Sequence, residues 1–193
     1  MSSQIKDSPY WKAKREIKRK YDHSSEVYDA LYRDEQEAKI RTALSALENI
    51  HMEKLDLVLD VGCGTGLLFR HIIERADLLV GLDMSRNLLR KASIKTSSKA
   101  ALILADADHM PFAEGSFGIV FAVTLLQNMP DMNVTLQEIN RVARENAVII
   151  ATGLKKSFGK RGFLTLLREA GLEIVNAKAD DHLLGYVAVC RKR

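Results

Sequence analysis

An acid and three closely spaced glycines are the residues of this sequence best suited to chemistry. Asp60 ends an apolar run, and Gly62, Gly64 and Gly66 follow it at alternate positions. Glycine lets the backbone adopt positive φ and approach a ligand closely. Apolar positions at helical spacing come next, so we predict a strand, a tight turn and a helix. The free N–H groups at the start of such a helix suit a carboxylate or phosphate.

The spacing of the glycines separates this turn from two common nucleotide-binding turns. A dinucleotide-binding turn needs Gly-x-Gly-x-x-Gly, and here Leu67 occupies the third glycine position. A phosphate-binding P-loop needs a closing Gly-Lys-Ser/Thr, which is absent from the stretch. Residues 60–66, Asp-Val-Gly-Cys-Gly-Thr-Gly, instead resemble motif I of the class I S-adenosylmethionine (SAM) dependent methyltransferases. The resemblance implies that Asp60 and the glycine backbone bind the methionine end of SAM. The alternative is an ordinary strand–turn–helix corner.

A second acid, Asp83, ends the next apolar run. An acid at the end of the second strand, about 20 residues past a glycine turn, is where a ribose is held through its hydroxyls. We therefore predict that Asp83 binds the ribose of the cofactor. The alternative is an acid that only stabilises a helix N-terminus. Met84, the next residue, is predicted to lie against the adenine, with a place in the core as the alternative.

A third acid, Asp106, follows the third predicted strand. Residues 106–112 resemble the Asp-Ala-x-x-x-Pro-Phe segment of the same family. The resemblance implies that Asp106 accepts a hydrogen bond from the adenine amino group and that the N–H of Ala107 donates to the ring. A loop-capping acid is the alternative for Asp106. His109, in the same loop, is a candidate catalytic residue, with simple exposure to solvent as the alternative.

Residues 124–131 occupy the position at which, in the family, the methionine end of the cofactor meets the acceptor. They lack the Asn/Asp-Pro-Pro-Tyr-like tetrapeptide found in many enzymes that methylate planar amino groups. They resemble the Leu-His-His-Leu-Pro-Asp string of small-molecule enzymes, with Gln127 and Asn128 in place of the histidines. A histidine base is therefore missing at this position. The resemblance places Leu125 against the cofactor and makes Gln127 a candidate catalytic residue.

Two tyrosines one helical turn apart, Tyr28 and Tyr32, precede motif I. Methyltransferases of the quinone-biosynthesis type have a similar Tyr/Phe-Asp segment that helps to close the cofactor pocket. By this resemblance Tyr28 is a third candidate catalytic residue, and aromatic packing on a helix is the alternative. No single catalytic residue follows from the sequence, because methyl transfer needs a base only when the nucleophile is protonated.

The N-terminal segment is strongly basic. Seven cations and two acids lie between Lys6 and Lys20, whereas the whole chain carries a formal net charge of +4. Such an arm suits an anionic partner such as RNA, and the alternative is a solvated helix face or a flexible tail. Four more cations lie between Lys155 and Arg161. If the arm is separate from the cofactor site, removal of residues 1–20 leaves SAM binding intact and weakens RNA binding.

The 193 residues suit one domain, with a basic helical extension over 1–50 and a SAM-binding core over 51–193. A helix is predicted over about 66–75. Strands are predicted at about 56–61, 78–83, 101–105, 117–123, 147–152, 172–177 and 184–191. This alternation predicts an α/β, Rossmann-like fold, and the resemblance implies its form. That form is a doubly wound seven-stranded sheet, mostly parallel with an antiparallel last strand, preceded by helices.

We interpret the chain as a SAM-dependent methyltransferase acting on a small molecule. An RNA (tRNA or rRNA) methyltransferase that uses the basic arm is the alternative, followed by a non-catalytic SAM-binding module. Leu67 argues against a nucleotide-dependent oxidoreductase. Cys63 and Cys190 have no metal-binding spacing, and no secretory signal or membrane span is visible, so we expect a cytoplasmic protein without a metal. The sequence does not indicate the acceptor or the oligomeric state.

Overall fold

The computed structural model describes residues 8–24, 28–48, 55–179 and 183–193. Two helices, α1 (Pro9–Ser24) and α2 (Tyr28–Glu48), come first. The strands are β1 (Leu55–Val61), β2 (Ala76–Asp83), β3 (Ala100–Leu104), β4 (Phe117–Ala122), β5 (Ala143–Leu154), β6 (Leu172–Lys178) and β7 (Gly185–Lys192). The later helices are α3 (Phe69–Ile72), α4 (Arg86–Ser93), α5 (Met132–Val142) and α6 (Lys160–Glu169), and a 3₁₀ turn lies at Leu126–Asn128.

The seven strands form one sheet in the order β3-β2-β1-β4-β5-β7-β6. Strands β1 to β5 are paired in parallel, and β7 runs antiparallel to both of its neighbours, β5 and β6. The predicted fold class is thereby confirmed. Because the carboxyl ends of the parallel strands lie at one edge, the loops after β1, β2, β3 and β4 meet there, which is where such sheets bind ligands.

Both faces of the sheet are covered, and the strand sequences show why. Val58 faces a core shared with α2, α3 and α4, whereas its neighbour Leu59 faces a second core shared with α5 and α6. Successive side chains of a strand point to opposite faces, so a strand buried on both sides needs a continuous apolar run. Residues 148–150 satisfy the same requirement in β5, where all three side chains are buried.

The helix predicted after the glycine turn is much shorter in the structure. Helix α3 has only four residues, and the prediction of a helix over 66–75 was wrong. The chain from Gly66 to Phe69 makes tight turns instead, with hydrogen bonds from Gly66 N to Cys63 O and from Phe69 N to Gly66 O. Turns also occupy residues 73–75, so only about one helical turn remains between the glycine turn and β2. Ligand contacts at this loop must therefore come from the loop backbone rather than from a helix N-terminus.

Within the described ranges, no helix is both long enough and apolar enough to cross a membrane.

Candidate active site

The glycine turn after β1 adopts the conformation that its sequence predicts. Gly62, Gly64 and Gly66 have φ of 71°, 55° and 72°, in the left-handed region that disfavours other residues. A Cβ at Gly62 would lie 2.9 Å from Leu125 Cδ1, so the turn packs directly on the loop after β4. Gly66 packs against Phe69 and lines none of the clefts described below. Of the three glycines, Gly62 and Gly64 line clefts, and the assignment of all three to cofactor binding stays a prediction.

Asp83, at the end of β2, holds the glycine turn in place. Its Oδ2 accepts a hydrogen bond from Gly64 N at 2.9 Å, and its Oδ1 accepts one from Ser85 N at 2.8 Å. Only 9% of the residue is exposed, and burial raises the pKa of its carboxyl. Each carboxylate oxygen has a second lone pair, so Asp83 retains acceptor capacity for another hydroxyl.

Asp106, just after β3, has one satisfied and one unsatisfied oxygen. Its Oδ1 accepts from the Lys14 ammonium and from Asp108 N, the latter at 3.0 Å. Its Oδ2 is buried and has no hydrogen-bond donor among the described residues. A buried acceptor without a donor is unfavourable, so this atom is suited to an N–H group of a ligand. Ala107, the next residue, lines the same cleft.

These loops enclose a cleft of about 650 Å³, which we name the central cleft. Most of its wall comes from the loops at the carboxyl edge of the sheet, and helix α1 supplies the rest. Its lining residues are Ile17, Tyr21, Gly62, Gly64, Leu82, Asp83, Met84, Leu88, Ala105, Asp106, Ala107, Val123, Thr124, Leu125, Asn128 and Met129. Sequence analysis had singled out Asp83, Met84, Asp106, Ala107 and Leu125, and the structure brings all five together here.

Helix α1 is fixed to the core by a buried lysine. Lys14 is 1% exposed, and its ammonium forms ion pairs with Asp106 and, at 2.5 Å, with Asp108. The Tyr10 hydroxyl donates to Asp108 as well, and Thr135 Oγ1 donates to the other oxygen of Asp108 at 2.5 Å. The basic segment is therefore a helix packed against the core, and one of its cations, Lys14, is buried in ion pairs inside the protein.

A second anchor lies at the other end of α1. Ser85 Oγ donates to Asp22 at 2.5 Å, and Asn87 Nδ2 donates to the backbone oxygen of Asp22 at 3.4 Å. Between the two anchors, Ile17 and Tyr21 reach the central cleft. Helix α1 therefore forms one wall of the central cleft, which argues against the expectation that residues 1–20 can be removed without affecting SAM binding.

Asp60 lies on the other side of the glycine turn. It lines a smaller cleft of about 380 Å³, the side cleft, together with Gln36, Ile40, Gly62, Cys63, Gly64, Thr65, Leu67, Leu68 and Val123. Only 3% of Asp60 is exposed. Burial, reinforced by the nearby charge of Asp83, raises the pKa of the Asp60 carboxyl to about 8.

The raised pKa of Asp60 gives a testable pH dependence of stability. Between 3.8, the ordinary pKa of an aspartate, and about 8, the native protein holds a proton that the unfolded chain has released. Stability therefore falls as pH rises through this window, with a slope from this group of up to about 1.4 kcal/mol per pH unit. Asp60→Asn removes the ionisation, so its free energy of unfolding should fall less steeply between about pH 5 and about pH 8. Urea titrations measure this slope.

Asp56→Asn is the control for that measurement. Asp56 lies on the same strand, but its side chain is 52% exposed and pairs with Arg144. This variant should keep the wild-type slope. Equal slopes for Asp60→Asn and the wild type would show that Asp60 is ionised in the native protein at neutral pH.

Thr124, after β4, is a functional candidate that sequence analysis did not assign. Its φ is 60°, a strained conformation for a β-branched residue. Four hydrogen bonds hold it there. The backbone of Thr124 makes two of them: its N–H donates to Thr152 Oγ1 at 2.7 Å, and its carbonyl accepts from Asn128 Nδ2 at 2.8 Å. The hydroxyl makes the other two: Oγ1 donates to Gln36 Oε1 at 2.8 Å and accepts from Lys39 Nζ at 3.3 Å. The only sequence signal was a polar residue following a buried strand.

A third and larger cleft, of about 1210 Å³, adjoins the central cleft, and we name it the basic cleft. Its lining residues are Lys20, Tyr21, Tyr32, Glu35, Gln36, Lys39, Thr124, Gln127, Asn128, Leu154, Lys155, Lys156 and Leu184. Tyr21, Thr124 and Asn128 line both clefts. Gln127 has a buried amide whose Nε2 and Oε1 both lack a hydrogen-bond partner among the described residues.

His109, the second candidate catalytic residue, lies away from the residues that the central and basic clefts share. The His109 side chain is 66% exposed and stacks on Trp11 with ring centroids 6.1 Å apart, so it faces solvent beside α1. We therefore do not carry His109 forward as a catalytic residue. Tyr28 begins α2, but its side chain lies outside the described part of the chain. No group of His, Cys, Asp and Glu within the described ranges has the arrangement of a metal site.

Comparisons with known proteins agree with this arrangement. Residues 59–151 match a family model described as a methyltransferase domain. The malonyl-[acyl-carrier protein] O-methyltransferase of Hamiltonella defensa subsp. Acyrthosiphon pisum is 35% identical over 101 residues, or 52% of this chain and 39% of that protein. The demethylmenaquinone methyltransferase of Staphylococcus aureus (strain JH9) is 31% identical over 109 residues, or 54% of this chain and 45% of that protein. The chain thus spans less than half the length of these two curated relatives.

A solved SAM-dependent methyltransferase from Thermotoga maritima has the same fold. It superposes with a TM-score of 0.71 over 90% of this chain and 98% of its own, at 15% identity. The glycine turn, the acids at three strand ends and the sheet order are the features that this chain shares with the class I SAM-dependent methyltransferase fold. Residues 59–151 of the chain are thus similar to a methyltransferase domain, and the described chain shares the fold of the Thermotoga maritima protein.

Proposed function

We propose that this protein transfers a methyl group from SAM to a small molecule bound in the basic cleft. The observation that carries the proposal is the junction of two clefts, since the central and basic clefts share Tyr21, Thr124 and Asn128. A reaction between two substrates needs adjoining sites that hold the reacting atoms in line. When bound, SAM supplies a methyl group that its sulfonium sulfur has already activated.

The central cleft suits the adenosine part of SAM. Asp83 accepts from the ribose hydroxyls through its remaining lone pairs, and the unpartnered Oδ2 of Asp106 accepts from the adenine amino group. Met84 and Ile17 supply apolar contacts for the ring. Burying the adenine and ribose of SAM under α1 also keeps water away from the reacting centre.

The side cleft suits the methionine part of SAM. Asp60 lies there beside the glycine turn, where a carboxylate favours a ligand ammonium group. Because the pKa of Asp60 is raised to about 8, binding of an ammonium group releases the proton that the carboxyl otherwise holds. Gly64 has open space at its Cβ position, so the backbone there is accessible to a ligand.

A small-molecule acceptor is favoured by the shape of the basic cleft and by one relative. The cleft is concave, and about 460 Å³ of its space is a cavity proper, which suits a ligand of drug-like size. The name of the Staphylococcus aureus relative specifies a small quinone, demethylmenaquinone, as its substrate. Gln127 lines the cleft with an unpartnered amide, so we propose that it contacts the acceptor and does not act as a base.

RNA is the second candidate acceptor. Lys20 of the basic segment lines the same cleft as Lys155 and Lys156, so the two cation-rich segments flank one site. Against this, Lys14 is buried in ion pairs and Lys18 pairs with Asp22, which reduces the charge that α1 presents to solvent. The concave shape of the site also favours a compact ligand over a duplex.

Calorimetric titration and a radiolabel transfer assay test the proposal. We expect the full chain to bind SAM and S-adenosylhomocysteine with micromolar affinity and to show no binding of NAD. Tritium from methyl-labelled SAM should then pass to a small-molecule extract and not to total RNA. Transfer to RNA alone would establish the second candidate. SAM binding without transfer to either fraction would identify a non-catalytic SAM-binding module.

The two cysteines bear on the cellular compartment. Cys63 and Cys190 are both free and buried. Burial raises the pKa of Cys190 to about 12 and that of Cys63 well above its usual value, so both thiols stay protonated and unreactive. Free thiols are the normal state in a reducing compartment, and we propose on this ground that the protein acts in the cytoplasm.

A further inference from the structure

Positive charge is concentrated on the wall of the basic cleft. Four lysines line it, and Glu35 is the one acid among its described lining residues. Lys39 is 1% exposed, and its Nζ lies 3.1 Å from Glu35 Oε1. Glu35 pairs with Lys39, and Lys20 and Lys156 add further positive charge to the wall. A cleft of this composition favours an anionic occupant.

One of these lysines, Lys39, contacts a residue that the basic cleft shares with the central cleft. Lys39 Nζ donates to Thr124 Oγ1 at 3.3 Å, and Thr124 lines both the basic and the central cleft. The pKa of Lys39 is lowered, mainly by burial and further by the charge of Lys156, which therefore lies within electrostatic reach. An anion between the two ammonium groups relieves this repulsion.

The three residues that the central and basic clefts share include no group that removes a proton near neutral pH. Burial raises the pKa of the Tyr21 phenol to about 12, and Thr124 and Asn128 have no basic group. Glu35 Oε1 is already engaged by Lys39 and by Leu184 N, the latter at 3.2 Å. A nucleophile that is already ionised needs no base, so it fits this junction better than an alcohol or a protonated amine.

We propose that the acceptor is a small carboxylic acid with an apolar body and that its carboxylate is the group methylated. This inference rests on the proposed function. The carboxylate lies between Lys39 and Lys156, the amide N–H of Gln127 donates to it, and Leu154 and Leu184 contact the apolar body. A monoanion is preferred to a phosphate dianion, because Glu35 balances part of the lysine charge and the walls include apolar side chains.

The chemical step is balanced without any proton transfer. A carboxylate oxygen forms the new O–C bond with its own electron pair as the S–C bond of SAM breaks. The electron pair of that bond returns to sulfur, which becomes neutral. The products are a methyl ester and S-adenosylhomocysteine, and the ester no longer carries the charge that the lysines attract.

Binding of simple amphiphiles tests the anion site without any turnover. The full chain, saturated with S-adenosylhomocysteine, is titrated with octanoate, octanol and octylamine in a calorimeter. We expect octanoate to bind at least about tenfold more tightly than the other two probes, and we expect its affinity to fall as salt is added. Equal affinity for all three probes, or preference for octylamine, would overturn the anion site.

Charge reversal locates the site. Lys156 is exposed, so Lys156→Glu should fold normally, weaken octanoate binding by about tenfold and leave the affinity for S-adenosylhomocysteine unchanged. Lys160→Glu is the matched control, because Lys160 is also exposed but does not line the cleft. Equal effects of the two variants on octanoate binding would mean that net charge, and not this site, attracts the anion.

The stability of the transferred label identifies the methylated atom. Small-molecule extract is separated by anion exchange, and each fraction is incubated with the protein and methyl-tritiated SAM. We expect label in the anionic fraction that mild alkali releases as volatile methanol, since a methyl ester hydrolyses under these conditions. Label that resists alkali would overturn the carboxylate while methyl transfer stands. No transfer to any fraction would instead contradict the proposed function.

Discussion

Replacing Asp83 with alanine should weaken SAM binding by at least about tenfold, the largest loss that we expect from any single carboxyl group. The carboxylate has two roles, and the substitution removes both. It accepts from Gly64 N and Ser85 N, so its removal leaves two backbone N–H groups without their acceptor and loosens the glycine turn. It is also the group that we propose to accept hydrogen bonds from the ribose hydroxyls of SAM. Calorimetric titration with SAM and with S-adenosylhomocysteine measures the loss.

Asp56→Ala and Asp83→Asn are the matched controls. Asp56 lies near the start of β1, at the end away from the glycine turn. It is exposed and pairs with Arg144, so its loss should leave the affinity for SAM unchanged. Asp83→Asn keeps the shape of the side chain but sets an amide NH₂ against one of the two backbone N–H groups, so its affinity should fall between those of wild type and alanine variant. Wild-type affinity in Asp83→Ala would remove the ribose assignment.

The parts of the site that the sequence predicted are those encoded by local patterns. Asp83 and Asp106 each directly follow an apolar run, and parallel strands place their carboxyl ends at one edge. The glycine turn could also be predicted from the sequence, because few residue types other than glycine adopt positive φ at alternate positions. These features require no knowledge of which distant segments pack together.

The parts that the sequence did not predict depend on distant contacts. Lys14 lies in a lysine-rich helix that looks like a solvated surface, since buried lysines are rare. Its partners, Asp106 and Asp108, come from a loop far along the chain. Thr124 could not be predicted either, because β-branched residues avoid positive φ unless neighbouring groups impose it. In both cases tertiary contacts outweigh the local preference.

Lys14→Met should release helix α1 from the core and weaken SAM binding. The substitution leaves Asp106 and Asp108 buried without their cation, and breaking a buried ion pair in this way costs about 3–5 kcal/mol. The helix can move outward and let water reach both acids, so the cost is limited to the free energy of docking and appears as local opening. Ile17 and Tyr21 then leave the central cleft, and the adenosine site loses one wall.

Hydrogen exchange and SAM titration together test this role of α1. In Lys14→Met we expect faster amide exchange over residues 9–24, little change in the strands, and a SAM affinity reduced by about tenfold or more. Lys12→Met, on the exposed side of the same helix, removes the same charge and should change neither measurement. Deletion of residues 1–20 should reproduce the loss of affinity seen in Lys14→Met, because both changes remove the same wall. Full affinity in the deletion variant would show instead that the cleft binds SAM without α1 and that the helix serves another partner.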